Sequence, residues 1–322
     1  MDNKTKNPWC VLVLLGIILL WAGCGTTATV PATQITEQKP PADPGEGLSL
    51  DDDRAIADYN EAIRRNPNDA EAYNNRGVTY KNKGDYDQAI ADDNQAIRIN
   101  PDYAEAYCNR GVAYRNKGDY DRAIADYNEA IRLNPNLAEA YNNRGIAYKD
   151  TGNYDRAIAD YTQALRINLN DVEAYYNRGN AYSDKKDYDR AIADYTQALR
   201  INPNLAEAYT NRGNAYKDTR DYDRAIADYN QALRINPDYA LAYYNRGSVY
   251  NAKKDYDRAI ADYTQALRIN PNLAVAYNGR GFAYGNTRDY TRARADFTEA
   301  LRLNPNDTVA RDNLEILRKR GY

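Results

Sequence analysis

Histidine is absent from the 322 residues. That removes imidazole acid–base work, histidine metal ligands and every Ser-His-Asp or Cys-His site. Only three cysteines are present, and no CxxC, P-loop, Gly-rich phosphate loop or nucleophile elbow occurs. Charge of one sign is also lacking. The 43 basic and 46 acidic residues leave a net charge of -3, with no block of like charge longer than four, which argues against a nucleic-acid partner. Tryptophan and phenylalanine number two each, yet tyrosine reaches 32. With 43% hydrophobic residues the chain can bury a core, so disorder throughout is excluded. These exclusions point to a structural or binding protein, with no cofactor, metal or small-molecule substrate expected.

Residues 1–23 read as an export signal. Lys4 and Lys6 precede an apolar run from Trp9 to Ala22, then Gly23 and Cys24. The run is shorter than the roughly 20 residues of a membrane span. Leu20-Trp21-Ala22-Gly23-Cys24-Gly25 resembles a bacterial lipoprotein lipobox, which implies lipidation at Cys24; Trp21 departs from the aliphatic usual there. An uncleaved signal anchor is the competing reading. Residues 24–49, with Pro31, Pro40, Pro41 and Pro44, read as a disordered tether. The expected location is the extracytoplasmic side of a membrane, outer-membrane or periplasm-facing in a two-membrane cell.

A 34-residue period organises the remainder. Asn-Pro recurs from Asn66-Pro67 to Asn304-Pro305, skipping one beat at Asn168-Leu169, and Arg-Gly recurs from Arg76-Gly77 to Arg280-Gly281. A fixed period of this size means stacked supersecondary units. Seven repeats over 70–307 start at Ala70, Ala104, Ala138, Val172, Ala206, Ala240 and Ala274. Positions 1 to 34 are counted from those starts. Positions 4, 8 and 11 hold Tyr, Gly and Tyr, and positions 17, 20, 24 and 27 hold Tyr, Ala, Tyr and Ala. Spacings of three, four and seven put each set on one helical face. Small residues then oppose large ones, and neither helix hides its stripe without stacked neighbours.

The turns agree with two helices per repeat. Asp85, Asp119, Asn153, Asp187, Asp221, Asp255 and Asp289 stand where the second helix needs an N-cap. Gly84, Gly118 and Gly152 suit a left-handed C′ position, which Lys186, Arg220, Lys254 and Arg288 take later. Asn-Pro is expected to stop the second helix. Asn68 with Glu71, and Asn204 with Glu207, have capping-box spacing.

This pattern resembles the tetratricopeptide repeat family over residues 50–322, on Tyr209, Gly213, Tyr216, Ala225, Tyr229, Ala232 and Pro237 and their counterparts. Arg at position 7, Asp93 at position 24 and Leu169 in place of proline depart from it. The resemblance implies an all-α, right-handed solenoid whose concave wall binds peptides or proteins. Residues 50–69 match only a second helix, and 308–322, with Val309, Leu314 and Leu317, read as a polar capping helix.

Three sets of recurring residues are candidates. Arg76, Arg110, Arg144, Arg178, Arg212, Arg246 and Arg280 recur with Asp92, Asp126, Asp160, Asp194, Asp228, Asp262 and Asp296, which suggests structural ion pairs between helices. Asn75, Asn109, Asn143, Asn177, Asn211 and Asn245 fill position 6. By the resemblance this position borders the groove, where amides could grip a peptide backbone; bonding to the adjacent helix is the alternative. Tyr176, Leu241, Tyr244, Val275 and Phe282 fall in groove-facing positions, an apolar anchor toward the C-terminal end, against the alternative of packing on the last helix. Position 2 holds Glu71, Glu105, Glu139, Glu173 and Glu207, so the carboxylate clamp of some family members is not expected. Cys108 reads as an inert thiol, and the carboxylate pair Asp92-Asp93 is a weak lead to chemistry. The functional expectation is a non-catalytic protein- or peptide-binding scaffold beside a membrane. A regulatory or assembly subunit of an envelope enzyme, pilus or secretion complex is the alternative.

Overall fold

The computed structural model describes residues 47–322, which contain sixteen α-helices and no strand. Helix α1 spans Gly47–Arg65. Seven pairs follow: α2 Ala70–Asn82 with α3 Tyr86–Ile99, α4 Ala104–Asn116 with α5 Tyr120–Leu133, and α6 Ala138–Asp150 with α7 Tyr154–Ile167. Next come α8 Val172–Asp184 with α9 Tyr188–Ile201, α10 Ala206–Asp218 with α11 Tyr222–Ile235, and α12 Ala240–Ala252 with α13 Tyr256–Ile269. The last pair is α14 Ala274–Asn286 with α15 Tyr290–Leu303, and α16 Thr308–Lys319 follows it. First helices all begin at position 1 and second helices at position 17, as the period predicts. The signal, Cys24 and the tether up to residue 46 lie outside the described residues.

Local chemistry sets most boundaries. Asp85, Asp119, Asp187, Asp221, Asp255 and Asp289 each accept the backbone N–H three residues on. Asn153 makes no such bond; its amide instead donates to the Thr151 carbonyl and hydroxyl. The capping boxes are not formed either. Asp69, not Asn68, caps α2, and Leu205 before α10 offers no side-chain bond.

Proline is not what ends the second helices. Helix α7, followed by Leu169, stops at the same position as the others. Asn168 there has φ -124° and ψ 98°, against -123° and 97° for Asn202 before its proline. In both, the asparagine Oδ1 accepts the N–H two residues on, at 3.1 and 3.0 Å. This Asx turn competes with helix continuation and defines the stop.

First helices end in a left-handed residue. Gly84, Gly118 and Gly152 have φ of 77–80°, and Lys186, Arg220, Lys254 and Arg288 keep the same turn at 61–68°. The next N–H closes the turn onto the first helix, as Asp187 does to the Tyr182 carbonyl at 2.9 Å.

Packing follows the small-against-large pattern. A Cβ added to Gly145 would fall 2.7 Å from Cε1 of Tyr161, so only glycine lets the two helices approach. Tyr127, Tyr161, Tyr195, Tyr229, Tyr263 and Phe297 at position 24 are 0–2% exposed. Burying such a ring stabilises by about 2–3 kcal/mol. Each second helix packs on its own first helix and on the next, so every ring lies between two repeats. In α16, Ala310, Leu314 and Leu317 face inward; Val309 is exposed instead.

Candidate functional site

First helices of successive repeats touch one another along the whole stack, whereas successive second helices come into no comparable contact. The side packed more closely is the inner side of a curve, so the first helices form the inner wall. What stands on that wall, and what stiffens it, defines the candidate site.

The stiffening element is the arginine at position 7. Each of the seven donates from Nε to Oδ2 of the aspartate at position 23 at 2.7–2.8 Å, and from a terminal nitrogen to Oδ1 at 2.5–2.9 Å. This is the bidentate fork that arginine geometry favours. The other terminal nitrogen donates at 2.5–3.1 Å to Asn60, Asn94, Asn128, Thr162, Thr196, Asn230 or Thr264, position 25 of the preceding unit. The guanidinium carbon also lies 5.3–5.7 Å from the centroid of the position-4 tyrosine ring. One side chain thus joins its own two helices to the second helix before them. The position-25 partner was readable in principle, since Asn or Thr recurs there on the same period.

The position-6 amides are largely spent inside the stack. Asn109 donates to Asn74 Oδ1 at 2.9 Å, Asn143 to Cys108 Sγ at 3.7 Å and Asn177 to Asn142 Oδ1 at 3.3 Å. Asn211 donates to the Tyr176 hydroxyl and to Asn180 Oδ1, both at 3.0 Å. These bonds run along the wall from one first helix to the one before, the adjacent-helix alternative. Asn75 and Asn245 are half-buried and make no such bond.

The wall changes character along its length. Glu71, Glu105, Glu139, Glu173 and Glu207 are exposed and form no ion pair among the described residues. Position 9 holds half-buried Val78, Val112 and Ile146 in the first three repeats, an apolar strip absent from the expectations. Toward the other end, Val275 is exposed, and Leu241, Tyr244 and Phe282 are half-buried. The Tyr244 ring lies 5.9 Å from that of Tyr263, and Tyr176 lies 6.1 Å from Tyr195. These wall aromatics rest on the buried position-24 rings beneath them.

The buried position-24 tyrosine hydroxyls follow the same division. Tyr195 and Tyr229 donate to Asn180 and Asn214 at 2.8 Å, and Asn251 donates to the Tyr263 hydroxyl at 3.1 Å. In the first three repeats, Tyr127 OH and Tyr161 OH are buried with no partner among the described residues, as are Asp93 Oδ1 and, in the sixth repeat, Asn251 Oδ1. Burial pushes the Asp93 carboxyl up to about 8, with Lys81 opposing. Asp92 is instead held by Arg76, so the two neighbouring carboxyls do not converge on a common point. Cys108 is a buried free thiol that burial pushes up to about 12.

Tetratricopeptide repeat models match residues 104–137, 138–171, 172–205 and 274–307, and related ones match 58–91, 79–118 and 210–274. No curated protein matches the chain in sequence. Among solved structures, the Cut9–Hcn1 hetero-tetramer of the APC/C superposes with a TM-score of 0.62 at 19% identity, over 81% of this chain. This chain spans only 52% of that one. A tetratricopeptide repeat protein from Parabacteroides merdae gives 0.58 at 23% identity, over 81% of this chain and 99% of that one. Pseudomonas aeruginosa PilF gives 0.57 at 18% identity, over 74% and 98%. With the 34-residue helix pairs and the position-8 glycines under position-24 rings, the chain belongs to the tetratricopeptide repeat family.

Proposed function

We propose that the protein is a non-catalytic scaffold that holds a segment of a partner protein against its first-helix wall, beside a membrane. The fold is one typical of protein–protein interaction. The observation carrying the reading is the continuous wall of touching first helices, with an exposed glutamate row and half-buried apolar side chains on one surface. Each arginine bracket spans two repeats, so the wall is pre-organised and a bound segment loses less free energy to ordering its receptor. The unpaired carboxylates favour a cationic or neutral segment over an acidic one.

The membrane reading rests on sequence alone. No helix among the described residues is long and apolar enough to cross a membrane. Lys4, Lys6, the apolar run and Cys24 support an exported, lipid-anchored chain on the extracytoplasmic side. Tethering there raises the effective concentration of partners in the same membrane.

The test is a pull-down from the native envelope with the intact chain, repeated with Tyr244→Ala and Phe282→Ala. At least a fivefold loss of captured partner is expected in one of them; unchanged capture in both refutes the wall as the binding surface. Fatty-acid probe labelling should mark the wild type and not Cys24→Ala; equal labelling refutes the anchor.

A further inference from the structure

Among the described residues, helix α1 is a second helix without a first. Ala55, Asp58, Tyr59 and Ala62 stand at positions 20, 23, 24 and 27 of the unit preceding the first full repeat. In the seven full repeats the first helix covers this face. There the position-23 aspartates are 4–7% exposed and the alanines at 20 and 27 are 0–1% exposed. In α1, Asp58 is exposed with no ion pair among the described residues, and Ala55, Tyr59 and Ala62 are only half-buried. The other side of α1 is engaged normally: Asn60 accepts from Arg76, and Asp53 pairs with Lys83.

We propose that this face docks an α-helix from another polypeptide that completes the half repeat. Seven copies of the same interface within the chain specify that helix. It needs an arginine for Asp58, since every counterpart aspartate holds a bidentate arginine. It needs glycine immediately after, because a Cβ there would fall 2.7–3.1 Å from the tyrosine ring in the five repeats that have tyrosine. Aromatic residues three before the arginine and four after it complete the packing, giving aromatic-x-x-Arg-Gly-x-x-aromatic.

Neither the in-register stretch before α1 nor an unpaired first-type helix among the described residues carries this pattern. In register, residues 36–46 place Lys39, Ala42, Asp43 and Glu46 at positions 4, 7, 8 and 11, and Pro40, Pro41 and Pro44 oppose a helix. Helix α16, the one first-type helix without a second helix after it among the described residues, carries Leu314 and Glu315 where arginine and glycine are required. The remaining first helices of any copy are already packed in full repeats.

The test uses the intact chain and a fluorescent, stapled peptide of residues 138–150, itself a first helix; the staple is needed because 13 residues are marginally helical alone. Saturable binding is expected. It should weaken at least tenfold when the peptide carries Arg144→Gln or Gly145→Leu, and at least tenfold when the protein carries Asp58→Arg. Asp58 is exposed and forms no ion pair among the described residues, so that variant should melt like the wild type. Absence of saturable binding, or binding indifferent to Asp58→Arg, overturns the proposal. So does self-association of the chain that Asp58→Arg abolishes, which would make the occupant a second copy. Wall variants such as Phe282→Ala should leave this binding unchanged, which separates the proposal from the wall reading.

Discussion

The arginine bracket in the middle of the array gives the sharpest energetic prediction. Arg178 forks onto Asp194 at 2.7 and 2.8 Å and reaches Thr162 at 3.0 Å. The two charged side chains are 17% and 8% exposed. Replacing Arg178 by leucine strands a carboxylate in this setting. Stranding one partner of a fully buried pair costs about 3–5 kcal/mol. Residual exposure lets water reach the orphan, so about 2–3 kcal/mol is expected here, and Asp194→Leu should cost a similar amount. The double variant Arg178→Leu/Asp194→Leu removes both charges and packs apolar groups against Tyr175. It should recover most of the loss, leaving a coupling of at least about 2 kcal/mol. Solenoid stability is local, so the assay is native-state hydrogen exchange of the α8 and α9 amides, with α14 as internal control. Each single variant should speed exchange in α8 and α9 by about 30- to 150-fold, since tenfold corresponds to about 1.4 kcal/mol. The double should stay within roughly fivefold of the wild type. Additive losses in the double would refute the view that the bracket is a mutually dependent ion pair.

Three further outcomes follow from particular residues. Tyr127→Phe deletes a buried, unpartnered hydroxyl and should be neutral or stabilising by up to about 1 kcal/mol; Tyr229→Phe removes the donor to Asn214 Oδ1 and should cost about 1 kcal/mol by urea denaturation. The Asp93 carboxyl is raised from 3.8 to about 8 on folding, so between about pH 4 and 8 the folded chain holds a proton that the unfolded chain has lost. Stability of the first repeat should therefore fall as pH rises through that window, by at most about 1.4 kcal/mol per unit, and level off above it. Asp93→Asn should flatten the profile; a profile still falling in that variant would place the titration elsewhere. Lys254→Gly relieves a side chain at φ 63° and should raise the melting temperature, with a net gain below about 1 kcal/mol because glycine also loosens the unfolded chain.

Much of the fold was legible because its determinants repeat. The glycine–tyrosine contact, the left-handed turn and most aspartate caps are local choices made several times over, so one period exposes them all. What escaped depends on neighbours in space. The position-6 asparagines look like free groove amides in one repeat, yet the preceding first helix consumes four of them. The third partner of each arginine lies 16 residues earlier, in the previous unit, and became visible only once the units were stacked. Proline seemed to stop each second helix because it almost always follows the asparagine that does so; Leu169 separates the two. Helix α1 was legible as a half repeat, but Asp58, without an ion pair among the described residues, gains meaning only from the seven filled copies beside it.

Function in this solenoid turns on which surface meets a partner. A photo-crosslinking residue placed in turn at Ile146, Phe282, Ala159 and Ala261 tests this directly. The first two stand on the first-helix wall, and the last two are exposed on second helices. Crosslinks to a polypeptide from Ile146 or Phe282 and none from Ala159 or Ala261 are predicted; crosslinks confined to the second helices would contradict the account.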